Sequence, residues 1–103
     1  MATIFSSTID PRTSNTPAAV AIVAPLNGLG VSLSSDQPLS VAVQVSYDAG
    51  ATYTQTPQNI DLPLAGSVSR TVIAQGVDHI QFVLSNPGDI LANVVFEGNP
   101  ATF

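Results

Sequence analysis

Along residues 39–47 the chain alternates without a break: Leu39, Val41, Val43, Val45 and Tyr47 are separated by Ser40, Ala42, Gln44 and Ser46. Successive side chains of a strand point to opposite faces, so this period of two predicts a strand with one buried face. The alternation returns in Ile60, Leu62 and Leu64, in Ile80, Phe82 and Leu84, and in Ile90, Ala92, Val94 and Phe96. Pro63 has no N–H to donate to a ladder, which predicts an edge position for the first of these. The turn sequence Asn86-Pro87-Gly88-Asp89 separates the other two and predicts that they form a hairpin. Ala18 to Ala24 is apolar on both faces and suits a covered strand. Asn27-Gly28 then tolerates the positive φ of a tight turn, with Leu29 to Ser34 as the predicted return strand. Val68 to Ala74 is rich in β-branched residues but ambiguous in face, because Arg70 falls between Val68 and Val72. No window of ten or more residues shows a helical period.

Eight or nine short strands in about 100 residues predict an all-β fold, a two-sheet antiparallel β-sandwich of Ig-like or jelly-roll type. Residues 1–16 read differently. Ser6, Ser7, Thr8, Pro11, Thr13, Ser14, Asn15 and Thr16 surround one apolar group, Ile4, Phe5 and Ile9, which predicts an extended N-terminal arm ahead of a sandwich domain over 17–103. Phe103 ends the chain after Gly98-Asn99-Pro100-Ala101-Thr102. Ile4, Phe5, Ile9 and Phe103 are therefore the candidate attachment residues. Phe82 and Phe96 are candidates for the core.

Charge changes the picture most. The 103 residues hold two arginines, seven acidic residues and no lysine, for a net charge of −5, on a chain that is 45% hydrophobic. Ordinary domains carry about 25% charged residues and use them to keep sheet edges apart. Here the value is 9%, so the surface has to be Ser, Thr, Asn, Gln, Gly and Ala, and burial against copies or partners is the expected way to extend a small core. There is no cysteine to staple the fold or hold a metal as thiolate. With two cations there is no basic stripe for phosphates, which argues against nucleic acid and anionic membranes as partners. The start of the chain lacks the basic and apolar regions of a secretory signal, and no apolar run approaches the roughly 20 residues that span a bilayer. A soluble protein made in the cytoplasm is the expectation.

Candidate chemistry is sparse. His79 beside Asp78 is the single histidine, but neighbouring strand residues face opposite ways and no serine sits on a nucleophile elbow. A surface or interface histidine, able to make packing pH-sensitive between about pH 5 and 8, is the expectation. The carboxylates are scattered one to a turn or strand face, which suits turn capping better than a calcium site of 6 to 8 converging oxygens. Asn27-Gly28-Leu29-Gly30 is followed by Val31-Ser32-Leu33-Ser34 rather than a helix, so it reads as a turn and not a phosphate loop. No catalytic residue, cofactor site or metal site is predicted.

Ser46-Tyr47-Asp48-Ala49-Gly50-Ala51-Thr52-Tyr53 resembles the Asp-box of bacterial neuraminidase repeats, S-x-D-x-G-x-T-W, with Tyr53 in place of Trp. Asp48 can accept loop N–H bonds, Gly50 can supply a positive φ and Tyr53 can pack inward. The resemblance implies a structural hairpin built on Asp48, Gly50 and Tyr53, and no enzymatic role. As a whole, a chain of this length, β-rich, free of cysteine, with an arm over Ala2 to Thr16 and an aromatic tail ending at Phe103, resembles the small virion proteins of tailed bacteriophages, above all the capsid decoration or cement proteins. That resemblance implies a non-enzymatic structural protein of the virion, made in the host cytoplasm. It implies the major capsid protein or other virion proteins as partners, and a homo-oligomer, with a trimer among the possible forms. A tail or head-fibre component and a carbohydrate or cell-surface binding sandwich are the alternatives.

Overall fold

The computed structural model describes residues 2–21, 28–73 and 76–99. They form ten strands: β1 (Ala2–Ile9), β2 (Ser14–Asn15), β3 (Val20–Ala21), β4 (Gly28–Ser35), β5 (Leu39–Ser46), β6 (Thr54–Gln55), β7 (Ile60–Leu62), β8 (Gly66–Ile73), β9 (His79–Ser85) and β10 (Ala92–Asn99). The first sheet has the order β1-β10-β4-β8. In the second, β9 and β5 are central, β2 and β3 pair with the outer side of β9, and β6 and β7 pair with the outer side of β5. All the pairings are antiparallel. The chain is thus an all-β two-sheet sandwich.

Pairing proceeds inward from the two ends of the described chain: β1 with β10, β2 and β3 with β9, β4 with β8, and β5 with β6 and β7. One long hairpin, rolled so that alternate pairs fall in opposite sheets, gives this order, which is the jelly-roll winding. The immunoglobulin alternative places its first two strands beside one another in one sheet, whereas here β1 and β2 lie in different sheets.

The alternating runs supply the core. Leu39, Val41, Val43 and Val45 of β5 and Ile80, Phe82 and Leu84 of β9 point inward from the second sheet, against Leu29, Val31, Leu33, Val94 and Phe96 of the first. Phe82 and Phe96 meet across the two sheets edge to face, with centroids 4.8 Å apart and planes at 79°, an arrangement that satisfies the ring quadrupoles. Arg70 resolves the ambiguous run: Val68, Arg70 and Val72 lie opposite Leu33, Val31 and Leu29, so all three belong to the inward row of β8.

Four expectations are corrected. The predicted hairpin of Ile80–Leu84 with Ile90–Phe96 does not form, because β9 and β10 lie in different sheets. The Asn86 segment is a corner instead: Asn86 is buried, its Nδ2 donates to Ile9 O and Ile90 O, and its Oδ1 accepts from Gly88 N. Nor do the strands flanking Asn27-Gly28 pair, since β3 bonds to β9 and β4 to β10 and β8; residues 22–27 themselves lie outside the described residues. Leu64 is 75% exposed, because the strand ends at Leu62, ahead of Pro63. Tyr47 and Ile90 likewise lie beyond their strands and are exposed.

Candidate attachment surface

The N-terminal segment is extended, as a strand of the first sheet. β1 runs along the edge, hydrogen-bonded to β10 from Ala2 opposite Gly98 to Ile9 opposite Ala92, with one irregularity between Thr3 and Phe5. Its apolar group is used within the molecule. Ile9 is 2% exposed, and Ile4 and Phe5 are half-buried against the core. Phe103 lies outside the described residues. Of the candidate residues, Ile4, Phe5 and Ile9 are thus turned to the core of the same molecule.

Other apolar side chains are exposed at one end of the sandwich. In a jelly roll the connections 10–13, 36–38, 63–65 and 86–91 all emerge at one end of the sandwich, since each follows a strand running that way. Every one contains a proline, Pro11, Pro38, Pro63 and Pro87, which fixes φ and limits the conformations of a short loop. Several contacts hold the connections 10–13, 36–38 and 86–91. Arg12 pairs with Asp89, Asn86 N donates to Thr13 O, and Asp36 accepts from both the backbone N–H and the side-chain amide of Asn93, at 2.8 and 2.7 Å. The two bonds from Asn93, that of its side chain foremost, hold the Asp36 carboxyl below its ordinary pKa. Leu64, Ile90 and Leu91 stand out from this rigid end, 75%, 60% and 41% exposed.

Beside it, the outer face of the first sheet carries an open groove of about 630 Å³, lined by Ser6, Thr8, Ser34, Ser67, Asn93 and Val95 among others. The register places Ser6, Val95, Ser34 and Ser67 in one cross-strand row. Small side chains let another surface approach the sheet closely. The outer face of the second sheet bonds instead to itself: Gln81 Nε2 donates to Gln44 Oε1 and Gln44 Nε2 to Gln55 Oε1, while Ser40 Oγ donates to Asp61. Cross-strand polar pairs of this kind hold the sheet with a single carboxylate, Asp61, among them.

At the opposite end, residues 47–53 connect β5 to β6. Asp48 accepts from Thr52 Oγ1 at 2.6 Å, Thr52 N at 3.0 Å and Ser46 Oγ at 2.7 Å. These bonds, the Thr52 hydroxyl first, lower the Asp48 carboxyl from its ordinary 3.8 to about 2. Gly50 has φ of +86° and donates to Ser46 Oγ; a Cβ there would lie 3.3 Å from the Tyr53 hydroxyl. Asp48, Gly50 and Tyr53 thus belong to one folded connection. Asp78 Oδ2 accepts from Ala49 N, and His79 Nδ1 is buried without a hydrogen-bond partner. Among the described residues no three histidine or carboxylate side chains converge.

The loop-end aliphatics could not be found from the sequence, because Leu64 and Ile90 continue alternating patterns that predict burial. The signal that was present is the proline in each connection. The class that fold and surface define is a jelly-roll sandwich with sparsely charged outer faces and exposed aliphatic side chains on its proline-bearing connections. Compared with known proteins, the chain matches no family model and no curated sequence.

Proposed function

We propose that this chain is a non-enzymatic structural protein of a virion, in first place a capsid decoration protein that binds the head shell and stabilises it, working as a homo-oligomer. The observation that carries the reading is the exposure of Leu64, Ile90 and Leu91 at one end of the sandwich, on connections that each contain a proline. A rigid apolar end loses little conformational entropy on docking, which is what makes a modest interface hold. The jelly roll supports the reading by analogy, since the winding is frequent in viral capsid domains and also in lectins. The mechanism is mechanical: apolar burial at about 25 cal/mol per Å² in each of many copies bridges shell subunits.

The test is co-sedimentation of the purified chain with expanded phage head shells assembled from a major capsid protein, with shell disruption temperature as a second readout. Bound chain and a raised disruption temperature are expected, and a Leu64→Asp/Ile90→Asp variant should lose at least tenfold in occupancy. Absence of binding, or equal binding by the variant, overturns the reading. The groove favours a carbohydrate-binding module as the second reading, because hydroxyls, Asn93 and Asp36 can hydrogen-bond a glycan. No aromatic side chain lines it. Glycan-array binding abolished by Asn93→Ala would favour this alternative.

A further inference from the structure

A sandwich exposes four sheet edges, and a free edge pairs with other chains unless something blunts it. Three are blunted here. Along the second sheet one edge is made of β2 and β3, two residues each, and the other of β6 and β7, two and three residues, followed by Pro63. In the first sheet β8 carries Arg70 on its inward row, where a second strand continuing the core would bury the charge. β1 alone, among the described edges, has eight residues with no charge and no proline.

The pattern of β1 also says what covers it. Beyond the irregularity at Thr3–Phe5, the regular run is Phe5-Ser6-Ser7-Thr8-Ile9, each residue in register with β10. By side-chain class this run is a palindrome about Ser7. Phe5, Ser7 and Ile9 share the inward face, opposite the buried Phe96, Val94 and Ala92, while Ser6 and Thr8 share the outer face. An antiparallel strand of the same sequence, centred on Ser7, would set Phe5 against Ile9, Ser6 against Thr8 and Ser7 against itself. Apolar meets apolar and hydroxyl meets hydroxyl, the cross-strand pairs that stabilise a sheet.

We infer that β1 pairs antiparallel with β1 of a second copy of this chain, about a two-fold axis at Ser7, joining the two first sheets into one of eight strands. Among the described residues each copy offers one open edge, so the contact is isologous and closes at two. Antiparallel pairing sends the two proline-bearing loop ends in opposite directions. The inference is independent of the virion reading: it concerns the chain alone in solution.

The experiment is sedimentation velocity of the full-length chain and of Ser7→Lys and Ser7→Asp, each alone and as an equimolar mixture, from micromolar to near-millimolar concentration. Ser7 is exposed in the single chain, so either charge is accommodated until it meets itself across the axis. The expected result is a native dimer, twice the 10.6 kDa of one chain. Each variant alone should be a monomer, with association weakened at least tenfold, and the mixture should recover a dimer containing one of each. A variant that had merely failed to fold could not be rescued this way. A native chain that stays monomeric, or forms a trimer, overturns the inference. So does a dimer indifferent to both substitutions, or a mixture that stays monomeric.

Discussion

At the residue scale, the connection of residues 46–53 concentrates most of what is chemically specific in the chain. Two side-chain oxygens, Ser46 Oγ and Asp48 Oδ1, accept from the backbone N–H groups of Asp48, Gly50 and Thr52, which a wide loop would leave without partners, and Thr52 Oγ1 donates to Asp48 Oδ2. Gly50 is required by its φ of +86°. Gly50→Ala should destabilise the fold by about 1–2 kcal/mol, the cost of a left-handed residue with a Cβ, read as a lower urea midpoint with unchanged slope. Asp48 gives a pH dependence with a definite sign. Its carboxyl is lowered in the folded chain to about 2 from 3.8, so the unfolded chain takes up the proton first, and the stabilisation is complete above about pH 4. It fades as pH falls through about 2. Thermal unfolding should therefore show Asp48→Asn less stable at pH 6, with the gap closing by pH 2; a gap independent of pH would mean that the carboxylate charge has no part in it.

At the element scale, the strand patterns carry through wherever a strand is covered on one face only. The even spacing of Leu39–Val45 and Ile80–Leu84 became the inward rows of β5 and β9, because a one-residue slip would expose every apolar side chain of the strand. The same pattern says nothing of which strand lies beside which. Turn chemistry misleads at Asn86: its side chain bonds to the carbonyls of Ile9 and Ile90, so the chain turns the corner into the other sheet instead of doubling back. Edges are decided at this scale too. Arg70 reads as a break in an apolar run, and its place on the inward row of an outer strand gives the reason for a charge there. Arg70→Val would leave β8 as a second open edge. Sedimentation at high concentration should then show species beyond the dimer, as chains with two open edges propagate; an unchanged profile would show that β8 is protected by something other than Arg70.

At the scale of the whole molecule, the scarcity of charge is met in two ways. One outer face is satisfied by its own ladder of glutamines and serines, and the other is left as a groove of small hydroxyls. Leu64 and Ile90 lie on loop-end connections outside β1, whereas Tyr47 is exposed at the opposite end and Val95 beside Ser6 on the outer face of the first sheet. The Leu64→Asp/Ile90→Asp chain should therefore remain dimeric in sedimentation while losing its hold on shells; a monomeric variant would place loop end and dimer contact in one surface. With the two loop ends of a dimer pointing apart, one dimer can engage two sites, which raises the effective concentration of the second contact.

The all-β class, the sandwich, the inward residues of the alternating strands and the scarcity of charge on the surface are legible in residue order alone, because all of these follow from local period and composition. Only the tertiary structure decided the jelly-roll order, the assignment of β9 and β10 to different sheets, the incorporation of Ala2–Ile9 as an edge strand and the exposure of Leu64 and Ile90. Each of these depends on which distant strand comes to lie alongside, and long-range pairing leaves no period in the sequence from which it could be read.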